Sequence, residues 1–175
     1  MGNEFLPDIP IPPSWPEPVR VPTAACPSLI GTYSNVGEKV SGNESREILF
    51  ARGILSQAMP NGDIPNSLKI RQEEGRSNLT IELLGSGSFE VSKSYKCEGG
   101  WVVIDKEDGE QHLGDGVDQI KYIQRHKLTR ATDNSLIVHS YIYLKSQMKP
   151  FPSGVTEGYY WSRFLSTEMQ HDENT

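Results

Sequence analysis

Two cysteines in 175 residues are too few to staple a small domain or to build a thiolate metal centre. No apolar run approaches the roughly 20 residues that a membrane-spanning helix needs. Blocks of five or six like charges are also missing, and 17 Lys and Arg against 23 Asp and Glu leave a net charge of −6. Neutralising phosphates takes clustered cations, so nucleic acid is not an expected partner. The densest basic stretch, Lys121 to Arg130, reads as the solvated face of one strand. With glycine counted as apolar and tyrosine as polar, the apolar fraction is about 40%, below the usual 45–50%. The core is lean, yet a chain of this length buries roughly two thirds of its unfolded surface and folds as one domain without metals.

Glycine is scarce at the start, where proline is dense: the first 27 residues hold one of sixteen glycines and eight of twelve prolines. Proline fixes φ and removes a donor, so residues 1–27 are expected to be an extended leader or linker that buries little. The domain is then 28–167, and 168–175 reads as a frayed tail. The leader lacks the basic n-region and unbroken apolar segment of a secretory signal, and Leu6 stands where a myristoylation signal needs Ser or Thr. Thr23-Ala24-Ala25-Cys26 places small residues before a cysteine, as at the end of a bacterial lipoprotein signal, although Thr23 replaces the usual aliphatic residue.

Ser41 and Glu44 have capping-box spacing, and Ile48, Ala51, Leu55 and Ala58 then recur on one helical face, which predicts a helix over 44–58 closed by Pro60-Asn61-Gly62. Elsewhere the period is two. A short run over 29–35 is followed by Leu68/Ile70, Leu79/Ile81/Leu83, Phe89/Val91 into Tyr95, and Trp101/Val103/Ile104. A polar loop from Asp105 to Asp118 precedes strands carrying Ile120, Tyr122 and Leu128, then Leu136 to Leu144, then about 157–165. The strand at 136–144 is apolar on both faces, so it is expected to be central or to have its second face partly covered. The expectation is a mainly β domain of about eight antiparallel strands in a meander closing into a barrel, with an open curved sheet as the alternative.

Chemistry is sparse. His112, His126, His139 and His171 show no metal-ligand spacing, and His126 and His139 are expected to face each other as a surface pair across the hairpin at Thr132. Asp105, Glu107, Asp108, Asp115 and Asp118 lack the EF-hand order and read as a solvated acidic hairpin. Gly85-Ser86-Gly87-Ser88 lies between two strands and is a turn, not a phosphate loop. The sequons at Asn43 and Asn78 are close to chance. No nucleophile elbow and no Cys–His pairing stands out, so no catalytic residue, metal or cofactor is expected.

Cys26 and Cys97 admit three readings: a disulfide closing about 70 residues and contributing about 4 kcal/mol in the chain-entropy model, a lipid on Cys26, or two reduced thiols in a cytoplasmic protein. Tyr159, Tyr160, Trp161 and Phe164 cluster around Arg163; alternation puts Tyr159, Trp161 and Arg163 on one face, as core packing or as a ligand lining.

The stretch Cys26-Pro27-Ser28-Leu29-Ile30-Gly31-Thr32-Tyr33-Ser34-Asn35, with Gly37-Glu38 and Trp161-Ser162-Arg163-Phe164, resembles a group of uncharacterised small lipoproteins of Gram-negative envelopes. That resemblance implies a periplasmic or lipid-anchored address with a membrane tether through Cys26. In outline the chain is also similar to lipocalins: Gly31-Thr32-Tyr33 stands where their first-strand Gly-x-Trp would be, Thr132-Asp133-Asn134 where their Thr-Asp-Tyr turn lies, and Arg163 in the last strand. Tyr33 and Asn134 depart from that pattern. The first functional expectation is a non-enzymatic envelope protein with a structural or protein-interaction role. The alternative is lipocalin-like binding of a small apolar ligand, lined by Tyr33, Trp101, Tyr141, Trp161 and Arg163.

Overall fold

In Leu79-Thr80-Ile81-Glu82-Leu83 every second side chain is wholly buried, the signature of a sheet with one face on a core. The structure, a computed structural model, describes residues 9–57, 62–73, 75, 77–111, 117–148 and 154–168, with the backbone alone at 107–111, 117–120 and 147–148. In chain order the elements are β1 (Gly31–Ser34), β2 (Val36–Ser41), β3 (Glu44–Leu49), α1 (Phe50–Gly53), β4 (Ser67–Gln72), β5 (Asn78–Leu84), β6 (Ser88–Ser94), β7 (Lys96–Glu98), β8 (Trp101–Gln111), β9 (Val117–Arg130), β10 (Leu136–Met148) and β11 (Gly154–Phe164).

Pairing is antiparallel throughout, in two sheets: β1-β4-β5-β6, and β3-β2-β11-β10-β9-β8-β7. Among the described residues no sheet closes into a barrel, and eleven strands stand where eight were expected. The division comes at two corners. Asn35 alone separates β1 from β2 and Tyr95 alone separates β6 from β7, so each pair is one chain passing from sheet to sheet. At the first corner the Ser34 N–H donates to Leu165 O (2.9 Å) and the Thr167 N–H to Thr32 O (3.0 Å), carrying pairing past the end of β11.

The helix expected over 44–58 is instead strand β3 followed by one turn, α1. Ser41 and Glu44 are not a capping box but the closing pair of a two-residue hairpin, Gly42-Asn43, with Gly42 in the left-handed region at φ +58°. Ile48 and Leu55 share a core without sharing a helix. Close contact also sets β2 against β11: a Cβ on Gly37 would lie 2.5 Å from Arg163 O and from the Phe164 ring. The acidic stretch expected as a loop from 105 to 118 is largely strand, because β8 runs to Gln111 and β9 begins at Val117. Asp115 lies outside the described residues.

The inward faces of both sheets meet in one core that includes Leu29, Tyr33, Phe50, Leu68, Ile81, Leu128 and Phe164. The segment Phe50 to Leu55 enters this core from between β3 and β4, and Phe50 meets Phe164 edge to face at 5.1 Å. Asn35, wholly buried, holds it in place. Its carbonyl accepts the Phe50 N–H (2.8 Å), its side-chain Oδ1 accepts the Ala51 N–H (2.9 Å), its Nδ2 donates to Pro65 O (2.9 Å), and its N–H donates to Asn66 O (3.1 Å).

Residues 9–27, expected as a linker, lie on the domain. Trp15 is buried with Ala131, Ile137 and Trp161 in a second core on the outer face of the larger sheet, flanked by Ile9, Ile11, Val40 and Trp101. Backbone bonds fasten the segment: Val19 N–H to Arg130 O (2.8 Å), Thr132 N–H to Glu17 O (2.9 Å), and a bridge between Pro18 and Ala131. Prolines do not prevent this, because a stiff chain loses little conformational entropy on docking and Ile9, Ile11 and Trp15 supply apolar anchors. The leader ends in the Cys26–Cys97 disulfide to β7. That bridge and a lipid on Cys26 require the same sulfur, and the disulfide has it.

Two expected outcomes test this packing. Deleting residues 1–20 removes Trp15 and should lower stability by about 3 kcal/mol, a fall of roughly 6–12 °C in Tm; an unchanged midpoint returns the segment to a linker. Asn35→Ala strands the Ala51 N–H and the Pro65 carbonyl and should cost about 2–4 kcal/mol in denaturant unfolding, whereas a loss below half a kcal/mol would show that the corner does not depend on it.

Candidate functional site

Register decides which side chains of β8 to β11 share the outer face. Asp105, Arg125, Tyr141 and Tyr159 are directly opposed across four strands, and Val103, Lys127, His139 and Trp161 form the next row. Alternation then turns Gln124, His126, Ser140 and Tyr160 inward. His126 and His139 therefore do not face each other: His126 is opposite Ser140 and His139 opposite Lys127, on the two faces of the sheet. From Leu136↔Arg130 to Gln147↔Gln119 the paired residue numbers sum to 266, an even number, so 126 and 139 are not partners.

On the outer face the rings form a continuous ridge. Trp161 stacks on His139 at 4.1 Å, His139 on Tyr159 at 5.6 Å, and Tyr159 meets Tyr141 at 5.0 Å with a tilt of 45°. Trp101 touches the Trp161 end at 6.2 Å, where the leader covers the sheet. The Trp161 indole N–H donates to Ile9 O at 2.8 Å. Beyond Trp161 the ridge is not covered by residues 9–27 and borders an open groove of about 520 Å³ lined by Asp105, Lys106, Ile123, Arg125, Lys127, His139, Tyr141 and Tyr159. Aromatic rings on β10 and β11 make one wall, and charged side chains on β8 and β9 make the other.

The charged wall is ordered by Asp105. Its carboxylate takes the Arg125 guanidinium at 2.8 and 3.5 Å and lies 3.4 Å from Lys96 Nζ. Arg125 and Asp105 are each about 40% exposed, so the pair is a positioning contact of small stabilising value. Among the described residues that line the groove, Lys106, Arg125 and Lys127 are cations and Asp105 is a carboxylate already paired with Arg125. On the aromatic wall the Tyr141 hydroxyl donates to Glu157; burial, followed by this bond to a carboxylate, pushes it up to about 12, so it remains protonated.

The five residues expected to line one ligand cup are not brought together. Tyr33 lies in the main core, its hydroxyl donating to Leu29 O at 2.9 Å, with burial raising it to about 12. Trp101 lines a separate groove of about 480 Å³ between leader and β8, and Trp161 lies beneath Ile9. Arg163 pairs with Asp133 and Ser135, tying β11 to the turn between β9 and β10. Tyr141 alone borders the larger groove. Arg125, Lys127, His139 and Tyr159 complete it. Their i, i+2 spacing on adjacent strands is visible in the sequence, but their register is not.

Among the described residues no cluster of three or more His, Cys, Asp or Glu is placed to hold a metal ion. Inside the sheet a polar line runs through the core: His126 Nδ1 lies 2.6 Å from Ser140 Oγ, Tyr160 bonds the same hydroxyl and reaches Gly53 O, and Gln124 donates to Gly53 O (3.2 Å) and accepts from Ser56 (3.1 Å). These groups tie α1 to the wall of the core. Ser140 is wholly buried and His126 is 1% exposed, so neither meets a substrate.

Burial, opposed in part by Asp105, pushes the His126 imidazole from 6.5 down to about 4. The unfolded chain then binds a proton between pH 6.5 and 4 that the folded chain refuses. Stability is full above pH 6.5 and falls by about 3 kcal/mol as pH drops to 4. Urea unfolding across that range should show the loss, and His126→Gln should flatten it; an equal slope in the variant assigns the acid sensitivity to other groups.

Comparison of the chain with protein-family models, curated proteins and solved structures gave no match.

Proposed function

We propose that this is a non-enzymatic binding and interaction domain of an oxidising, extracytoplasmic compartment, and that its contact surface is the open half of the outer face of the larger sheet. One observation carries the reading: an aromatic ridge and the cations Arg125 and Lys127 border a single groove, on the part of the face that residues 9–27 leave uncovered. Ring faces and edges with nearby cations give large contact area at low entropic cost, which suits recognition more than chemistry. Catalysis would need a nucleophile or a base tuned to neutral pH, whereas burial pushes the His126 imidazole away from neutral, down to about 4, and seals it in the core.

The disulfide supports the compartment, because such bridges persist where the environment is oxidising. The likeness to envelope lipoproteins favours a bacterial envelope, without a lipid on Cys26. The two corners at Asn35 and Tyr95, where the chain passes from one sheet to the other, support a barrel-like shell. Its interior is occupied by Phe50, Ile54 and Leu55, so a small apolar ligand in a lipocalin-type cup has less support than a ligand on the outer face.

Isotopically labelled protein titrated with the soluble envelope fraction of its own host tests the surface. Amide shifts are expected at Arg125, Lys127, His139, Tyr141 and Tyr159, with Leu68, Ile81 and Leu128 unmoved. Shifts confined to those interior residues, or none in the groove, overturn the proposal.

A further inference from the structure

Resting on that reading of the outer face, we infer that the groove recognises an acidic polysaccharide, a chain of sugar rings bearing carboxylates. The aromatic wall and the cationic wall stand on adjacent strands, so one ligand touches both. Strands in a sheet lie about 4.8 Å apart, and side chains at i and i+2 on one strand are about 6.6–6.8 Å apart. Arg125 and Lys127 have that second spacing on β9, and Tyr141 and His139 oppose them residue for residue on β10. A pyranose ring has an apolar C–H face and a polar rim. Tyr141 borders the groove at the end of the ridge away from Trp161, so its ring offers a surface on which a sugar face lies.

A carboxylate on that sugar then falls toward the β9 row. Arg125 is already held in a fixed orientation by Asp105, and a guanidinium carries five donors, so those not engaged with Asp105 can take a second carboxylate. Lys127 supplies a point charge one repeat further along the strand. The groove is open and not a closed pocket, and at about 520 Å³ it lies within the 300–1,000 Å³ of small-ligand sites, which suits a few rings of a longer chain. Lys127 and the Arg125 donors not engaged with Asp105 attract an anion at short range.

The test is calorimetric titration of the intact, oxidised protein with an oligogalacturonate, its fully methyl-esterified form, and an oligothymidylate. Saturable binding of the acidic sugar is expected, about tenfold weaker for the ester, and weakened about tenfold in Lys127→Glu and in Tyr141→Ala. Lys127→Gln, which keeps the stem of the side chain and only removes charge, should weaken binding less than Lys127→Glu while leaving the thermal midpoint unchanged. Equal affinity for acid and ester removes the role of the cations, and tighter binding of oligothymidylate assigns the groove to single-stranded nucleic acid; either result overturns the inference. Absence of sugar binding overturns it as well. If the envelope fraction still shifts the groove amides in that case, only the ligand class has failed and the surface stands.

Discussion

One buried asparagine holds the two sheets, the Phe50 to Leu55 segment and the turn before β4 in register. Asn35 sits where the first long strand leaves one sheet for the other, and each of its four polar groups has a partner in a different part of the chain or on α1. A wholly buried amide is costly unless satisfied, so the corner, the segment entering the core and the Pro65–Asn66 backbone are fixed together or not at all. With Phe50, Ile54 and Leu55 thus driven between the sheets, the interior is taken up by the protein's own side chains. The recognition surface we propose therefore lies on the outside.

The larger sheet consequently works on both faces. Its inner face carries the core and a polar line from His126 to Gln124 that grips α1. Its outer face is divided lengthwise between the proline-rich segment, which seals Trp15 against Trp161 and Ile137, and the groove between the ring stack and the β9 cations. The same stack runs under both halves, with Trp161 in the covered part and Tyr141 in the open part. The Cys26–Cys97 bridge fixes where the covering segment ends, and in the chain-entropy account it contributes about 4 kcal/mol by closing so long a loop.

Strand periodicity over 68–104 and 120–164 was legible because burial of one face imposes a period of two, and turn residues such as Gly85 to Ser88 and Thr132 to Ser135 mark the reversals, whereas the polar strand ends within 105–118 gave no such signal. The segment 36–55 was not legible. Gly42-Asn43 is a hairpin signal, but Ser41 with Glu44 and the spacing of Ile48, Ala51 and Leu55 fit a helix equally well on local grounds. Pairing of β2 with β11, made close by Gly37, settles the conflict in favour of strand, and it involves residues more than 120 positions away. The leader was misjudged for a related reason: proline content describes backbone stiffness and says nothing of whether Trp15 finds a partner.

Composition and alternation by themselves determined a mainly β, antiparallel, single-chain core, the need for β10 to be central or covered on its second face, and the lack of any metal or nucleophile motif, because these depend only on residue type and local spacing. Tertiary structure decided what local spacing cannot: which of the cysteine readings holds, which face each histidine takes, that the leader is the cover for β10, and that Arg125, Lys127, His139, Tyr141 and Tyr159 meet in one groove. Cross-strand register is set by contacts between distant segments, and a shift of one residue would have sent every one of those side chains to the opposite face.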